Sequence, residues 1–92
     1  MEEIKTLYLP LKKEWYELIE KGIKTEDYRK MNDYWFKRLS NKEYKYVRFS
    51  YGYTKRTMTF ECKGIVWDTG NPEWGAEPGE VYFIIKLGRR LK

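Results

Sequence analysis

The stretch Gly22-Ile23-Lys24-Thr25-Glu26-Asp27-Tyr28-Arg29 follows directly after the clearest helix pattern of the chain. It places a lysine, a carboxylate and an arginine at intervals of three and two residues. In an extended segment Asp27 and Arg29 share one face and Lys24 lies on the other, whereas in a turn all three can converge. The sequence leaves both geometries open and predicts that a functional site, if the protein has one, lies here.

Residues 11–21 are predicted to form an amphipathic helix ahead of this stretch, with Gly22 just past its end. Pro10 is expected to end a first strand over residues 4–9 and to begin the helix. The apolar stripe falls at i, i+4, i+7 and i+8 and consists of Leu11, Trp15, Leu18 and Ile19. Lys12 lies in the first turn, where the helix dipole disfavours cations, so either the end is simply solvated or an anion docks there.

The chain beyond this stretch predicts a second, shorter helix over residues 33–40 and then three long strands. Apolar and polar residues alternate over 44–51 and 56–67, which indicates strands with one buried face. The run 80–87 is apolar on both faces and predicts a central strand that is covered on both sides. Residues 68–79 are rich in glycine and proline and are typical of a loop.

The 92 residues are predicted to form one domain over residues 1–92, of the α+β class. In so short a chain, sheet edges are best protected when the strands curl into a small β-barrel with two flanking helices. The net charge is +5 and the pI about 9.3. This balance favours anionic partners, nucleic acid first, although it serves solubility equally well.

Several classes of protein are disfavoured by the composition. Cys62 is the single cysteine, which excludes an internal disulfide and fits a reducing compartment. No histidine is present, so a zinc site is not expected, and we predict neither a metal nor a cofactor. No apolar run approaches the roughly 20 residues of a membrane span, and the N-terminus lacks a signal-peptide core. We therefore expect a cytoplasmic protein without a membrane partner.

The charged residues of the central stretch suit a nucleotide if they converge. Arg29 offers a planar fork for a phosphate or a base edge, and Lys24 offers a point charge. Asp27 can hold Arg29 in place or accept a hydrogen bond from an exocyclic amine. The alternative is a surface salt-bridge cluster that contributes little free energy.

Aromatic and basic residues elsewhere give further candidate binding residues. Tyr28 and Trp74 can stack on a base, although Trp74 can equally close one end of the barrel. Arg48 and Arg56 flank a strand end and a turn among tyrosines, a pattern that suits single-stranded nucleic acid or a solvated hairpin tip. The other tryptophans are expected to be structural: Trp15, Trp35 and Trp67.

The run Leu9-Pro10-Leu11, a helix, and then Gly22-x-Lys24-x-x-Asp27-x-Arg29 resembles the ASCH domain family of the PUA-like superfamily. The family's pattern is Gly-x-Lys-x-x-Glu-x-Arg directly after the first helix, and Asp27 stands where the family most often has Glu. The resemblance spans nearly the whole chain and includes the Pro-Glu-Trp-Gly loop at 72–75 of small bacterial and phage members. It implies a small PUA-like β-barrel, a cleft lined by Lys24, Asp27 and Arg29, and RNA or a nucleotide as partner.

The resemblance also implies an alternative function as a hydrolase. Some small ASCH proteins are amidohydrolases acting on N4-acetylcytidine, and they use the motif lysine, a threonine two residues before the motif arginine, and a distant glutamate. Here Lys24 and Glu61 are the candidate catalytic residues, but Asp27 occupies the threonine position and a nucleophile is missing. Other members are ribonucleases, for which this chain has no histidine. A third hypothesis is a protein-interaction module with an aromatic surface.

Overall fold

The computed structural model describes residues 5–92, which fold into two helices and one five-stranded sheet. The elements in chain order are β1 (Thr6–Leu11), α1 (Lys13–Glu20), β2 (Glu26–Lys30), α2 (Asp33–Leu39), β3 (Tyr46–Tyr51), β4 (Thr57–Thr69), a 3-10 turn (Pro72–Trp74) and β5 (Val81–Arg90). The predicted α+β class is confirmed. The predicted start of the first strand at Ile4 lies outside the described residues.

The sheet has the strand order β1-β3-β4-β5-β2 and curls into a half-barrel. The pair β1–β3 is parallel, and the other neighbouring strands are antiparallel. The two edge strands are therefore β1 and β2. Arg29 in β2 donates from Nη2 to the carbonyl oxygen of Pro10 in β1 over 3.3 Å, so the curl brings the two edges within reach of one side chain.

The central position of β5 was predicted from its sequence and is confirmed. β5 lies between β4 and β2. Phe83 and Ile85 on one face are fully buried in the main core. Tyr82 and Ile84 on the other face pack with Ala76 from the loop before β5. Both faces of the strand are covered, which is why it has no polar face.

The main core lies between one face of the sheet and both helices, with Leu39 contributed by α2. The alternation in β3 and β4 buries Val47, Phe49, Met58 and Phe60, as the sequence predicts. Its other largest buried side chains come from β1, α1 and β5: Leu7, Leu9, Tyr16, Ile19, Phe83 and Ile85. The radius of gyration is 12.7 Å, close to the ~12 Å expected for a compact domain of this length.

The predicted boundary between the first strand and the first helix was wrong. β1 runs through Pro10 to Leu11, and α1 begins at Lys13. Proline has no backbone N–H and cannot donate a hydrogen bond to a neighbouring strand. An edge strand accommodates it because one of its sides has no neighbouring strand. Leu11 is buried as a strand residue, and Tyr16 is buried in the helix instead.

The prediction of Trp67 as a core residue was also wrong, because its side chain is 59% exposed. The register of β4 against β5 shifts between Phe60 and Gly64, where Gly64 adopts φ +142°. This irregularity matches the bulge that a glycine inside a strand indicates. Beyond it, Trp67 lies at right angles to the Phe83 ring, with the ring centroids 6.1 Å apart.

Candidate functional site

The turn between α1 and β2 brings the motif residues together. Gly22 adopts φ +78°, a left-handed conformation that glycine accepts most readily, and reverses the chain after the helix. The backbone N–H of Lys24 then donates to the carbonyl oxygen of Leu18 over 3.1 Å, which fixes Lys24 within the turn. Asp27 and Arg29 follow on one face of β2. Lys24 approaches Asp27 from the turn, so the turn and the extended segment both contribute to the convergence.

Asp27 is the centre of this cluster. Its Oδ2 accepts from Arg29 Nε over 2.7 Å, and its Oδ1 lies 3.8 Å from Lys24 Nζ. Lys24 and Asp27 are each only 3% exposed, so the cluster is buried rather than on the surface. The guanidinium of Arg29 also lies 4.9 Å from the centre of the Trp35 ring. Both carboxylate oxygens are engaged, and Asp27 therefore orients its two neighbours instead of facing a ligand.

Two aromatic rings flank the ammonium group of Lys24. Its Nζ lies 5.3 Å from the Trp15 ring centroid and 5.2 Å from that of Tyr28, within the range of cation–π attraction. Burial lowers the pKa of Lys24, and the negative charge of Asp27 opposes that shift. The amine therefore loses its proton more readily than that of an ordinary lysine.

The hydroxyl group of Tyr28 joins β2 to the loop before β5. It donates to Glu26 Oε1 over 2.9 Å and accepts from the backbone N–H of Asn71 over 2.9 Å. Burial raises the pKa of Tyr28 to about 12, so the phenol stays neutral near pH 7. The ring that borders Lys24 is thereby fixed in position.

The cluster lies in a cleft of about 720 Å³ at the seam between the two sheet edges, a volume in the range of ligand pockets. The charged residues that line it are Lys12, Lys24, Asp27, Arg29, Lys30 and Glu77, four cations and two carboxylates. Its aromatic residues are Trp15, Tyr28, Tyr53, Trp74 and Tyr82. The cleft thus combines an excess of positive charge with flat apolar surface.

The loop after β4 forms one wall of the cleft by packing on α1. Asn71 accepts from the backbone N–H of Glu73 over 2.9 Å and starts the 3-10 turn that carries Trp74. Gly75 adopts φ +97°, and a Cβ atom there would lie 2.8 Å from the Trp15 ring. The loop backbone therefore requires glycine at this position to approach Trp15.

We expect Gly75→Ala to lower the melting temperature more than Gly79→Ala does. Both glycines have positive φ, and an alanine in this conformation costs about 1–2 kcal/mol. Only at Gly75 would the new methyl group also overlap the Trp15 ring, since nothing lies within 4 Å of the corresponding position at Gly79. Thermal unfolding followed by circular dichroism measures both variants, and equal melting temperatures would show that the loop does not pack on Trp15.

Three residues singled out from the sequence do not line the cleft. Arg48 lies on the exposed face of β3, 5.9 Å from the Tyr8 ring. Nη2 of Arg56 donates to both carboxylate oxygens of Glu20 over 3.0 Å, which attaches the turn before β4 to α1. Glu61 lies on β4 with its side chain 47% exposed, outside the cleft that contains Lys24.

Sequence reasoning missed several residues of the cleft. Lys12 gave a signal, because a lysine at a helix start is unfavourable without an anion nearby, and it indeed lines the cleft. Trp15 was assigned to packing, and it also forms part of the wall. Lys30 gave no signal, and Tyr53 was considered only as one of the tyrosines near Arg56. The curl of the sheet brings both to the same mouth. Tyr53 is 97% exposed there.

No family model matches this chain, and a search of curated proteins finds no match to it. Within residues 5–92, no group of three or more potential ligands is placed to hold a metal ion. None of the helices in the same range is long and apolar enough to cross a membrane.

Proposed function

We propose that this protein is a PUA-like module of the ASCH type that binds a nucleotide, free or within single-stranded RNA, in the cleft between β1 and β2. The observation that carries the proposal is the convergence of Lys24, Asp27 and Arg29 in a cleft lined by aromatic rings. The half-barrel with two helices supports it, because the ASCH motif would then occupy the seam of the barrel.

The phosphate of the nucleotide is proposed to lie near the ammonium groups. Lys12 and Lys30 are exposed at the mouth, and Lys24 lies deeper. Arg29 contributes charge, but its Nε and Nη2 atoms are already bound to Asp27 and Pro10. Its role is therefore to shape the positive cleft more than to form a fork on the ligand.

The base of the nucleotide is proposed to stack on the aromatic residues of the mouth. Trp74 is half-buried in the 3-10 turn, and Tyr53 projects from the turn after β3. Stacking of a base on such a side chain contributes about 1–3 kcal/mol. Stacking tolerates any base, so we propose a cleft with weak sequence preference.

We do not extend the proposal to hydrolysis of a modified nucleoside. Lys24 lies in the cleft, but Glu61 is outside it, and Asp27 at the position of the family's threonine is paired with Lys24 and Arg29. The carboxylate of Asp27 is engaged on both oxygens and is not poised as a nucleophile. The arrangement favours binding.

Lys24→Met is expected to weaken binding of a short single-stranded RNA by about tenfold or more, because a charge-assisted contact contributes about 1.5–3 kcal/mol. The methionine replaces the aliphatic stem between Trp15 and Tyr28 and leaves the Asp27–Arg29 pair intact. Fluorescence anisotropy with a labelled tetranucleotide measures the change. The matched control is Lys21→Met, an exposed lysine at the end of α1 with the same change in charge.

Equal affinities of the Lys24→Met and Lys21→Met proteins would contradict the proposed function. The wild-type affinity is also expected to fall steeply with added salt, because phosphate contacts release counterions. A pull-down that still retains protein partners after treatment with nuclease would instead favour the interaction-module hypothesis.

A further inference from the structure

A second groove, of about 1110 Å³, lies between the loop after α2 and the β4 strand. It shares no lining residue with the cleft that contains Lys24. Four of its side chains define what we name the lysine groove: Lys5, Lys42, Lys45 and Trp67. Glu43 is the only acidic residue among those that line it in the described part of the chain.

The strand pairing holds two of these lysines side by side. The carbonyl oxygen of Lys5 accepts from the backbone N–H groups of Lys45 and Tyr46, over 2.9 and 3.3 Å. Lys5 and Lys45 are therefore neighbours at the start of the parallel β1–β3 pair, and Lys42 joins them from the preceding loop. Neither Lys42 nor Lys45 forms an ion pair with a side chain in residues 5–92. Like charges gathered in this way suit a polyanion.

One exposed aromatic side chain lines the groove, and a second, outside its lining, packs on the same buried ring. Trp67 is 59% exposed and lies at right angles to the buried Phe83 ring. Phe36 from α2 is 51% exposed, and its ring centroid lies 6.4 Å from that of Phe83. Two large rings are thus held in place by a common buried neighbour while much of their surface remains open. Such rings offer stacking surface to unpaired bases.

Charge decides between the candidate occupants of this groove. A second copy of the chain carries the same net charge of +5 and would be repelled from three lysines. An acidic peptide would satisfy the lysines but leave the indole of Trp67 without a flat partner. A single-stranded nucleic acid satisfies both, because its phosphates and its bases alternate along one chain.

We propose that the lysine groove is a second contact site for single-stranded nucleic acid, with phosphates against Lys5, Lys42 and Lys45 and a base on Trp67. A strand long enough to reach both sites would contact the cleft with one segment and the groove with another. The site is argued from its own residues and does not depend on the ligand proposed for the cleft.

The test compares the binding of RNA to three variants at several salt concentrations. The ligands are an oligonucleotide of about 12 nucleotides and a tetranucleotide. Both lengths lie within the range of site sizes of small single-strand-binding domains. The double substitution Lys42→Gln/Lys45→Gln removes two groove charges. Lys13→Gln/Lys21→Gln, on exposed positions of α1, makes the same change in charge elsewhere. Trp67→Leu removes the indole while it keeps apolar cover over Phe83, and thermal unfolding shows that each variant is folded.

For the longer RNA, we expect the groove double variant to bind about tenfold more weakly, with a salt slope less steep by about 1.4, that is about 0.7 for each lost phosphate contact. Trp67→Leu is expected to weaken binding several-fold without a change in that slope. The Lys13→Gln/Lys21→Gln protein keeps the wild-type slope.

The proposal is overturned if the groove and α1 double variants show the same slope and affinity. It is also overturned if the wild type sediments as a dimer that Trp67→Leu dissociates, which would assign the face to a second copy. Loss of binding in Lys24→Met with no effect of the groove variants refutes the second site alone. The opposite result refutes the cleft alone.

Discussion

Asp27→Asn is expected to lower the free energy of unfolding by about 3–5 kcal/mol, the range found when one partner of a buried ion pair is removed. Asparagine has nearly the same shape as aspartate, so the loss reports charge and not packing. Lys24 is 3% exposed, so in the variant its ammonium form would be buried without the nearby carboxylate. For a domain of this length the melting temperature should fall by about 15 °C or more, which calorimetry or circular dichroism measures.

The loss in free energy of unfolding caused by Asp27→Asn is expected to become smaller as the pH rises. The pKa of Lys24 is lowered in the folded protein, mainly by burial, and Asp27 opposes this shift. Without Asp27 the folded-state pKa falls further below the unfolded value, and stability rises with pH wherever the unfolded state binds more protons. Denaturation at about pH 6 and at about pH 9 should therefore show a smaller deficit at the higher pH.

A double variant separates the contribution of the Asp27–Lys24 pair to stability from that of the Asp27–Arg29 pair. Lys24→Met/Asp27→Asn removes the buried ammonium together with its partner, so it should recover part of the stability that Asp27→Asn loses. The recovery is partial because Arg29, whose Nε lies 2.7 Å from Asp27 Oδ2 in the wild type, still lacks a negatively charged partner. If Asp27→Asn is as stable as the wild type, or if its loss of stability does not change with pH, the cluster is solvated and the prediction is contradicted.

Phe83→Ala is expected to destabilise the protein by about 3–5 kcal/mol, the usual effect of removing a buried phenylalanine. The side chain is fully buried in β5, and its ring contacts two aromatic residues from other elements, Phe36 and Trp67. Truncation leaves a cavity beneath both. Chemical denaturation with urea measures the loss.

The matched control for Phe83→Ala is Val81→Ala in the same strand. Val81 is 45% exposed, and its truncation is expected to change stability by less than about 1 kcal/mol. Because Phe83 supports Trp67, the truncation should also weaken binding of the longer RNA through the lysine groove. A loss for Phe83→Ala no larger than that for Val81→Ala would contradict the placement of Phe83 in the core beneath an interior strand of the sheet.

Local patterns predicted much of the fold. The double-sided apolar run of residues 80–87 predicted a central strand, and β5 has neighbours on both sides. Alternation predicted the buried faces of β3 and β4, and Gly22 marked the turn that ends the α1 region. Each of these signals depends on residues close together in the chain, where period and turn chemistry are informative.

Features that depend on distant parts of the chain were beyond local patterns. Pro10 was predicted to end β1, but a proline is tolerated within β1 because this strand is an edge of the sheet. Trp67 was predicted to be a core residue, but it packs on the buried Phe83 ring with one part of the indole and leaves 59% of its side chain exposed. The composition of the cleft follows from the curl that brings β1 and β2 together, which no single segment of sequence encodes.

The site itself was predicted in part. Spacing alone left open whether Lys24, Asp27 and Arg29 converge, and the structure shows that they do. Spacing did not indicate that the Arg29 guanidinium would be held by Asp27 and by the Pro10 carbonyl oxygen. That second contact crosses from one sheet edge to the other. Arg29 is therefore as much a part of the seam as of the proposed binding surface.

The most direct test of the cleft is a titration of ¹⁵N-labelled protein with a single-stranded tetranucleotide, followed through the indole N–H signals of the four tryptophans. Trp15 and Trp74 line the cleft, and Trp67 lies outside it. We predict saturable shifts of the Trp15 and Trp74 signals that require about tenfold more RNA in Lys24→Met, whereas the response of the Trp67 signal, which reports the lysine groove, is unchanged in that variant. Shifts confined to Trp67, or no shift of any indole signal at saturating RNA, would contradict nucleotide binding at the seam.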